Sequence, residues 1–404
     1  MKLSTGSILA SMLLATSVSA ATIAASKPAG AAYFITNEPS GNHVVSIDIG
    51  SDGKLTSLNA VSTGGNGLHG LGAPGAAPGS DGLFSQGSVQ ASHKAKVLAA
   101  VNPGSNTVSL FSINPSLPAG LKIIGRPVSS GGEFPISVAF NEAGSLLCAL
   151  NGGKVAGVAC YSVHHTLGLL PIPNTQRALH LNQTTPAAGP AGTASQISFS
   201  QDGKHLIAAI KGAPPTPGYL AVWAFGAGHS LSADFTQVAP ASGGLLPFSL
   251  TPVPGKNAFF TADPGLGFEI FDFAGGFKNS SSSSAVAVTG QKAICWSAYS
   301  KQSGDFYLVD AGASEVLEVS INDDLKGTVV QTYSLPANSS TIDTAVASVS
   351  GKDYLYVLAA GATSVDVLAV NGPQKAQTIQ RFDFSDANVT INKINVQGMA
   401  TYVY

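Results

Sequence analysis

Val97-Leu-Ala-Ala-Val-Asn102, a short turn, then Val108-Ser-Leu-Phe-Ser-Ile113: this pairing of an apolar strand with an alternating one is the unit from which the chain is built. The first segment is continuous in small and branched apolar residues, as a strand buried on both faces requires. The second alternates apolar with polar, and the Asn between them sits where a turn must begin. The unit recurs. Ala32-Tyr-Phe-Ile-Thr-Asn37 precedes Val44-Val-Ser-Ile-Asp-Ile49, and Leu146-Leu-Cys-Ala-Leu-Asn151 precedes Gly157-Val-Ala-Cys-Tyr-Ser-Val163. Leu206-Ile-Ala-Ala-Ile-Lys211 precedes Tyr219-Leu-Ala-Val-Trp-Ala-Phe225, and three further copies begin at Ala258, Phe306 and Leu355. The starts at 32, 97, 146, 206, 258, 306 and 355 stand 65, 49, 60, 52, 48 and 49 residues apart, the period of propeller blades and not of helical repeats.

Most copies are flanked by two more strands. Ile136-Ser-Val-Ala-Phe140 leads into an Asn141-Glu-Ala-Gly144 turn, and Gln196-Ile-Ser-Phe-Ser200 into Gln201-Asp-Gly203. The same step is expected at Ser249 to Gly255, Trp296 to Gly304 and Ala345 to Gly351, with outer strands such as Leu121 to Val128 and Thr378 to Phe384. The pattern predicts an all-β, seven-bladed propeller with four-stranded blades. The first copy lacks an inner strand, whereas Ile394-Asn-Val-Gln-Gly-Met-Ala400 at the end has no blade of its own. The C-terminal strand is therefore expected to close the first blade and leave only short, protected edges.

Composition agrees. Of 404 residues only 10% are charged, while 46 Gly and 23 Pro suit short strands and tight turns. A net charge of −2 offers no electrostatic basis for binding nucleic acid or an anionic membrane. Lys2, the apolar run Ile8 to Ala15 and the small-residue site Val18-Ser19-Ala20 read as a secretory signal over residues 1–20, leaving 21–404 as one propeller domain. That run is too short to span a bilayer. Sequons at Asn182, Asn279, Asn338 and Asn388 fit a secreted, extracellular or cell-wall glycoprotein. Cys148 and Cys160 are each six residues from a turn centred near Lys154, so hairpin register sets them opposite one another and predicts a disulfide. Cys295 is left over, and expected to be buried in an inner strand.

Aligning the copies puts Asn37, Asn102, Asn151, Lys211, Asp263, Asp310 and Ala360 at one structural position, the start of the turn that should ring the channel mouth. Asn and Asp also cap turns through their own backbone. Lys211 does not cap in that way, and Glu38 adds a carboxylate beside Asn37. Loops between blades add Glu133, Gln196 and Asp343 to that face. The insertion from Gly64 to Gly87, which contains His69 and Asp81, reads as an Ala/Gly/Pro-rich lid or surface loop. No metal motif, nucleophile elbow or hydrolase triad stands out, and no cofactor is expected.

The blade pattern, the Phe199-Ser-Gln-Asp-Gly203 turn and the Gly212-to-Trp223 hairpin resemble the seven-bladed propeller lactonase family, which includes carboxymuconate cyclase and the propeller-type 6-phosphogluconolactonase. The likeness is nearest to secreted fungal 3-carboxymuconate cyclase-like proteins, some of which are cell-wall antigens or adhesins. The resemblance covers nearly the whole mature chain and implies an active site at the channel mouth. Catalytic members carry a His-containing segment before the fourth inner strand, where this chain has Gly192-Thr-Ala-Ser195 and then Gln196. Their Asp-Leu-Gly after the next strand is here Ile210-Lys-Gly212, and Ala262-Asp263 stands at their Asn-Glu turn. Arg126, Arg177 and Arg381 do not fall on the mouth. Two readings follow. In one, the family His is missing and the protein is a secreted or cell-wall glycoprotein that binds a partner in adhesin or antigen fashion. In the other, it is an extracellular lactonase or cycloisomerase acting on a small carboxylated lactone or muconate. Lys211 would then hold the anion, with Asp263 or Glu38 as acid/base. The expected partner is a small carboxylated lactone or a cell-wall or matrix component, with neither nucleic acid nor membrane involved, and the chain is expected to be a monomer.

Overall fold

Every residue of Val97–Asn102 is buried, because the strand lies second in its sheet and the sheet is covered on both faces. It pairs antiparallel with Val89–Ser92 on the inner side and Thr107–Asn114 on the outer side, and Leu117–Ile123 completes the blade. The computed structural model describes residues 27–72, 77–385 and 387–404, and in it the same four-strand path recurs in seven sheets. The signal-segment reading of residues 1–20 lies outside the described residues. Blades two and three each add a short fifth strand, Val128–Ser129 and Arg177–Ala178. Neighbouring blades are held together by apolar layers: one extends from blade one through blade four, and others join blades four to seven and return to blade one.

Gln397–Val403 pairs antiparallel with Gly30–Ile35, so one blade contains both chain ends and the ring closes as the sequence predicts. The strand begins three residues later than expected, because Asn392 to Val396 forms a turn in which the Asn395 and Val396 amides bond the Asn392 carbonyl. In blade five the expected strand-and-turn step from Ser249 to Gly255 holds a strand of only Thr251–Pro252, because the Leu250 amide bonds Gln196 Oε1 and the Ala262 amide bonds Ser249 Oγ in place of ladder bonds. In blade two, Leu121 to Val128 is not one strand; the edge is made by Leu117–Ile123 and Val128–Ser129. Cys148 stands directly opposite Cys160 in the hairpin register and the two are disulfide-bonded, with a Cα–Cα distance of 4.0 Å.

The Gly-rich insertion departs from the expected lid or surface loop. Its end turns inward, burying Leu83, Phe84 and Ser85. Ser85 Oγ donates to Ile136 O of blade three at 2.9 Å, and Trp296 Nε1 of blade six donates to Ser85 O at 3.1 Å. The Gln86 side chain exchanges two hydrogen bonds with the Ser297 backbone of blade six, and its amide N–H donates to Ser195 O of blade four. A segment bonded to inner strands on several sides of the ring lies on its axis. Residues 83–87 thus plug the channel, because Leu83 and Phe84 gain more from burial there than in water. No helix among the described residues is long and apolar enough to cross a membrane.

Candidate functional site

The turns between second and third strands share one face with the loops between blades, and hydrogen bonds show why those turns are polar. Asp263 accepts from the Leu245 and Gly265 amides, both at 2.7 Å. Asp310 accepts from Lys292 and Ala293 at 2.8 and 2.9 Å, and again from Gly312 and Ala313. Asn151 donates to Ser130 O, and Asn37 exchanges bonds with the Leu68 backbone. Asn102 donates to Thr107 and Ser109 and accepts from Asn42. All six polar side chains at this position are buried, as is Ala360 at the seventh. Five of them clamp the turns and inter-blade loops in place. Lys211 is the exception.

The clamps leave most of the expected site residues away from the mouth. Asp263 is directed at backbone amides, and beside it Glu269 is buried with no donor to either carboxyl oxygen. Burial, and next the neighbouring Asp263, push the Glu269 carboxyl well above the usual range, which favours its neutral form. Glu38 is held by the Asn392 amide at 2.9 Å and the Asn395 side chain at 3.1 Å. Glu133 accepts from the Thr185 hydroxyl. Gln196 accepts from the Leu250 amide at 2.6 Å and lines a separate cleft of about 630 Å³, together with the turns that begin at Ser92, Asn141 and Ser200.

At the mouth itself a cavity of about 520 Å³ is lined by Asp81, Phe84, Lys211, Phe248, Cys295 and Trp296. Lys211 reaches it from the end of the blade-four strand His205–Ile210. Its Nζ donates to Phe84 O at 2.5 Å and to Ala194 O at 3.2 Å, and lies 4.5 Å from the centroid of the Phe248 ring. Asp81 comes from the insertion, in a left-handed backbone conformation (φ 67°). Its Oδ1 accepts from Gln397 Nε2 at 2.9 Å and the Ser85 amide at 3.2 Å, while Oδ2 has no donor among the described residues. Gln397 Nε2 also donates to Asp343 Oδ2 at 2.9 Å, which accepts from the Gly398 amide as well. One carboxamide thus bridges two buried carboxyls.

Burial sets the chemistry of this group. It raises Asp81 to about 6, against the attraction of Lys211 and the Gln397 and Ser85 hydrogen bonds. It lowers Lys211 to about 7, against the attraction of Asp81 and Cys295. Burial and the nearby Asp81 push Asp343 well above the usual range, and burial also pushes the Cys295 thiol up. Asp81 and Lys211 do not touch as an ion pair, yet each titrates close to neutrality. A base and a cation held apart across a shared cavity suit attack on a carbonyl.

No protein-family model and no curated protein matches the chain. Solved structures do. The periplasmic gluconolactonase of Pseudomonas aeruginosa aligns over 88% of this chain and 96% of its own, with a TM-score of 0.64 and 16% identity. A protein provisionally assigned as a 6-phosphogluconolactonase, from Bacteroides fragilis, aligns over 93% and 99% (TM-score 0.58, 14% identity). A second of that provisional assignment, from Bacteroides uniformis, aligns over 91% and 99% (TM-score 0.57, 15% identity). The likeness is one of fold.

Of the residues expected to act, only Lys211 lines the cavity. The sequence named Asp81 only as part of the insertion and Cys295 only as a buried inner-strand cysteine, and gave neither of them, nor Gln397 or Trp296, a role in the site. The signal for Asp81 was its setting: Asp81-Gly82-Leu83-Phe84 places a carboxylate beside two large apolar residues within a Gly/Ala/Pro-rich stretch. Such a pair has reason to leave the surface and carry its neighbour inward.

Proposed function

We propose that the protein is a lactonase that opens a small lactone at the channel mouth, with Asp81 as general base and Lys211 as oxyanion holder. The observation that carries this is the separated Asp81–Lys211 pair lining one cavity at the mouth. The fold likeness to proteins named as lactonases supports it. In the reaction, water adds to the lactone carbonyl carbon while Asp81 Oδ2 takes the water proton. The Lys211 ammonium faces the oxygen on which negative charge develops. The ring C–O bond then breaks, and the leaving alkoxide takes the proton back from Asp81, giving a hydroxy acid and restoring the carboxylate. Asp81 stands in for the histidine that the resembling enzymes use, and Asp263 and Glu38 keep the loops that frame the cavity in place.

An exported setting fits the disulfide, the signal-like residues 1–20 and the four sequon asparagines, all exposed on loops. Docking of a cell-wall or matrix component by the same face, without catalysis, has less support, because it leaves the buried pair without a role. The test is acid release from a panel of lactones, comparing wild type with Asp81→Asn and Lys211→Met. Each variant should lose on the order of a hundredfold in kcat/KM, the usual effect of removing a general base or an oxyanion donor, while remaining folded by circular dichroism. Unchanged hydrolysis by both folded variants would overturn the assignment.

A further inference from the structure

Gluconolactone and its phosphate would need many hydroxyl and anion partners, and the cavity walls do not supply them. Phe84, Leu246, Phe248, Pro264, Trp296 and Ile342 line it with apolar surface. A ligand hydroxyl buried against such walls without a partner costs about 1–3 kcal/mol, and a sugar lactone carries several. Two hydroxyl side chains reach the lining, and one of these, Ser80, already donates to Lys393 O.

The charges point the same way. Asp81 and Lys211 offset each other, so a bound anion meets little net positive charge from the pair. Lys292 at the exposed rim is the other cation in the lining and forms no salt bridge among the described residues. Arginine, with the fork that suits phosphate, does not line the cavity. Arg177 bonds backbone carbonyls of Leu231 and Ser232, and Arg381 is paired with Asp366. One ammonium at the rim matches a single carboxylate, whereas a phosphate dianion further in would face the Asp81 carboxyl.

We propose that this cavity selects a lactone with an apolar, ring-bearing body and no more than one carboxylate, and rejects polyhydroxylated and phosphorylated sugar lactones. This rests on the channel mouth being the ligand site. The ring-bearing body packs against the wall made by Trp296 and Phe248, whose rings meet edge to face with centroids 5.3 Å apart, with the lactone carbonyl toward Lys211 and any carboxylate toward Lys292. At about 520 Å³ the cavity falls within the range of small-molecule sites.

Two readouts separate this inference from the lactonase reading. Trp296 is one of two tryptophans and lines the cavity, while Trp223 is buried in blade four, so tryptophan fluorescence reports occupancy without turnover. Titration with 3-phenylpropionate should give a saturable change that Trp296→Phe abolishes, and gluconate and 6-phosphogluconate should give none. Lys292→Ala should weaken 3-phenylpropionate about tenfold. In turnover, dihydrocoumarin should exceed glucono-δ-lactone by on the order of a hundredfold in kcat/KM. If 3-phenylpropionate binds and gluconate does not while no lactone is opened, the ligand class stands and the lactonase reading falls. Preference for gluconolactone, equal binding of gluconate, or no binding of 3-phenylpropionate overturns the ligand class.

Discussion

Replacing Gln397 with Met keeps the side-chain length and removes the amide that ties the channel plug to the closing strand. Gln397 is fully buried, and the two hydrogens on its Nε2 serve Asp81 Oδ1 and Asp343 Oδ2, both at 2.9 Å, with Ser85 O sharing at 3.2 Å. Each acceptor keeps one other protein donor: the Ser85 amide, the Gly398 amide and Trp296 Nε1 respectively. The loss is therefore of hydrogen bonds, not of all solvation. Bonds to charged groups contribute about 1.5–3 kcal/mol and neutral ones about 0.5–1.5. Two of the former, less about 1–2 kcal/mol for burying the Met side chain, give a net cost of about 3 kcal/mol when both carboxyls are ionised.

The pH dependence of that cost has a definite sign. The Gln397 hydrogen bond lowers both the Asp81 and Asp343 carboxyls, so its loss raises two folded-state values already above the unfolded one. Stability from such groups is fully present below the unfolded value, near 4, and is lost as pH rises through the folded value. The Gln397→Met deficit should accordingly grow by about 1 kcal/mol between pH 4.5 and pH 8 as Asp81 ionises, the difference between a charged and a neutral hydrogen bond. Guanidinium unfolding followed by circular dichroism at the two pH values measures it. A deficit equal at both pH values, or larger in acid, would refute the reasoning.

Removing the disulfide by Cys148→Ala with Cys160→Ala should cost up to about 3 kcal/mol, the loop-closure scale for residues separated by 12 in sequence. A reducing agent should lower the wild-type unfolding midpoint and leave that of the double variant unchanged. Deleting the last twelve residues removes Val396, Met399 and Tyr402, each buried, along with a whole inner strand. At about 2 kcal/mol per side chain the loss is about 6 kcal/mol, comparable with the 5–15 kcal/mol that holds a typical domain together. The truncated chain should show no cooperative melt, and unchanged melting would contradict closure through the first blade.

The propeller was legible because its second strands are buried on both faces, which leaves runs such as Leu206-Ile-Ala-Ala-Ile that no exposed strand would carry. Hairpin register is local, so the opposition of Cys148 and Cys160 followed from counting residues. The inner strand of blade five was less legible, since its start is set by the bond of the Leu250 amide to Gln196, 54 residues away in the chain. The site divides in the same way. Lys211 stood out by breaking the Asn/Asp pattern that five of its six counterparts share. Asp263 and Asp310 looked equally available, but each is held by amides 18 residues upstream in a loop whose path the sequence does not display. Asp81 was hidden for the converse reason: its ligand Gln397 is 316 residues away, and the inward turn of its loop exists only once the ring has closed.

The central claim, that Asp81 and Lys211 work as a pair at the channel mouth, is tested most directly by the pH profile of dihydrocoumarin hydrolysis, corrected for the spontaneous reaction. The account needs Asp81 ionised and Lys211 protonated, so kcat/KM should rise through about 6, fall through about 7 and peak between them. Asp81→Asn should remove the rising limb along with most of the rate. A variant that retains both the rate and the rising limb would contradict the account.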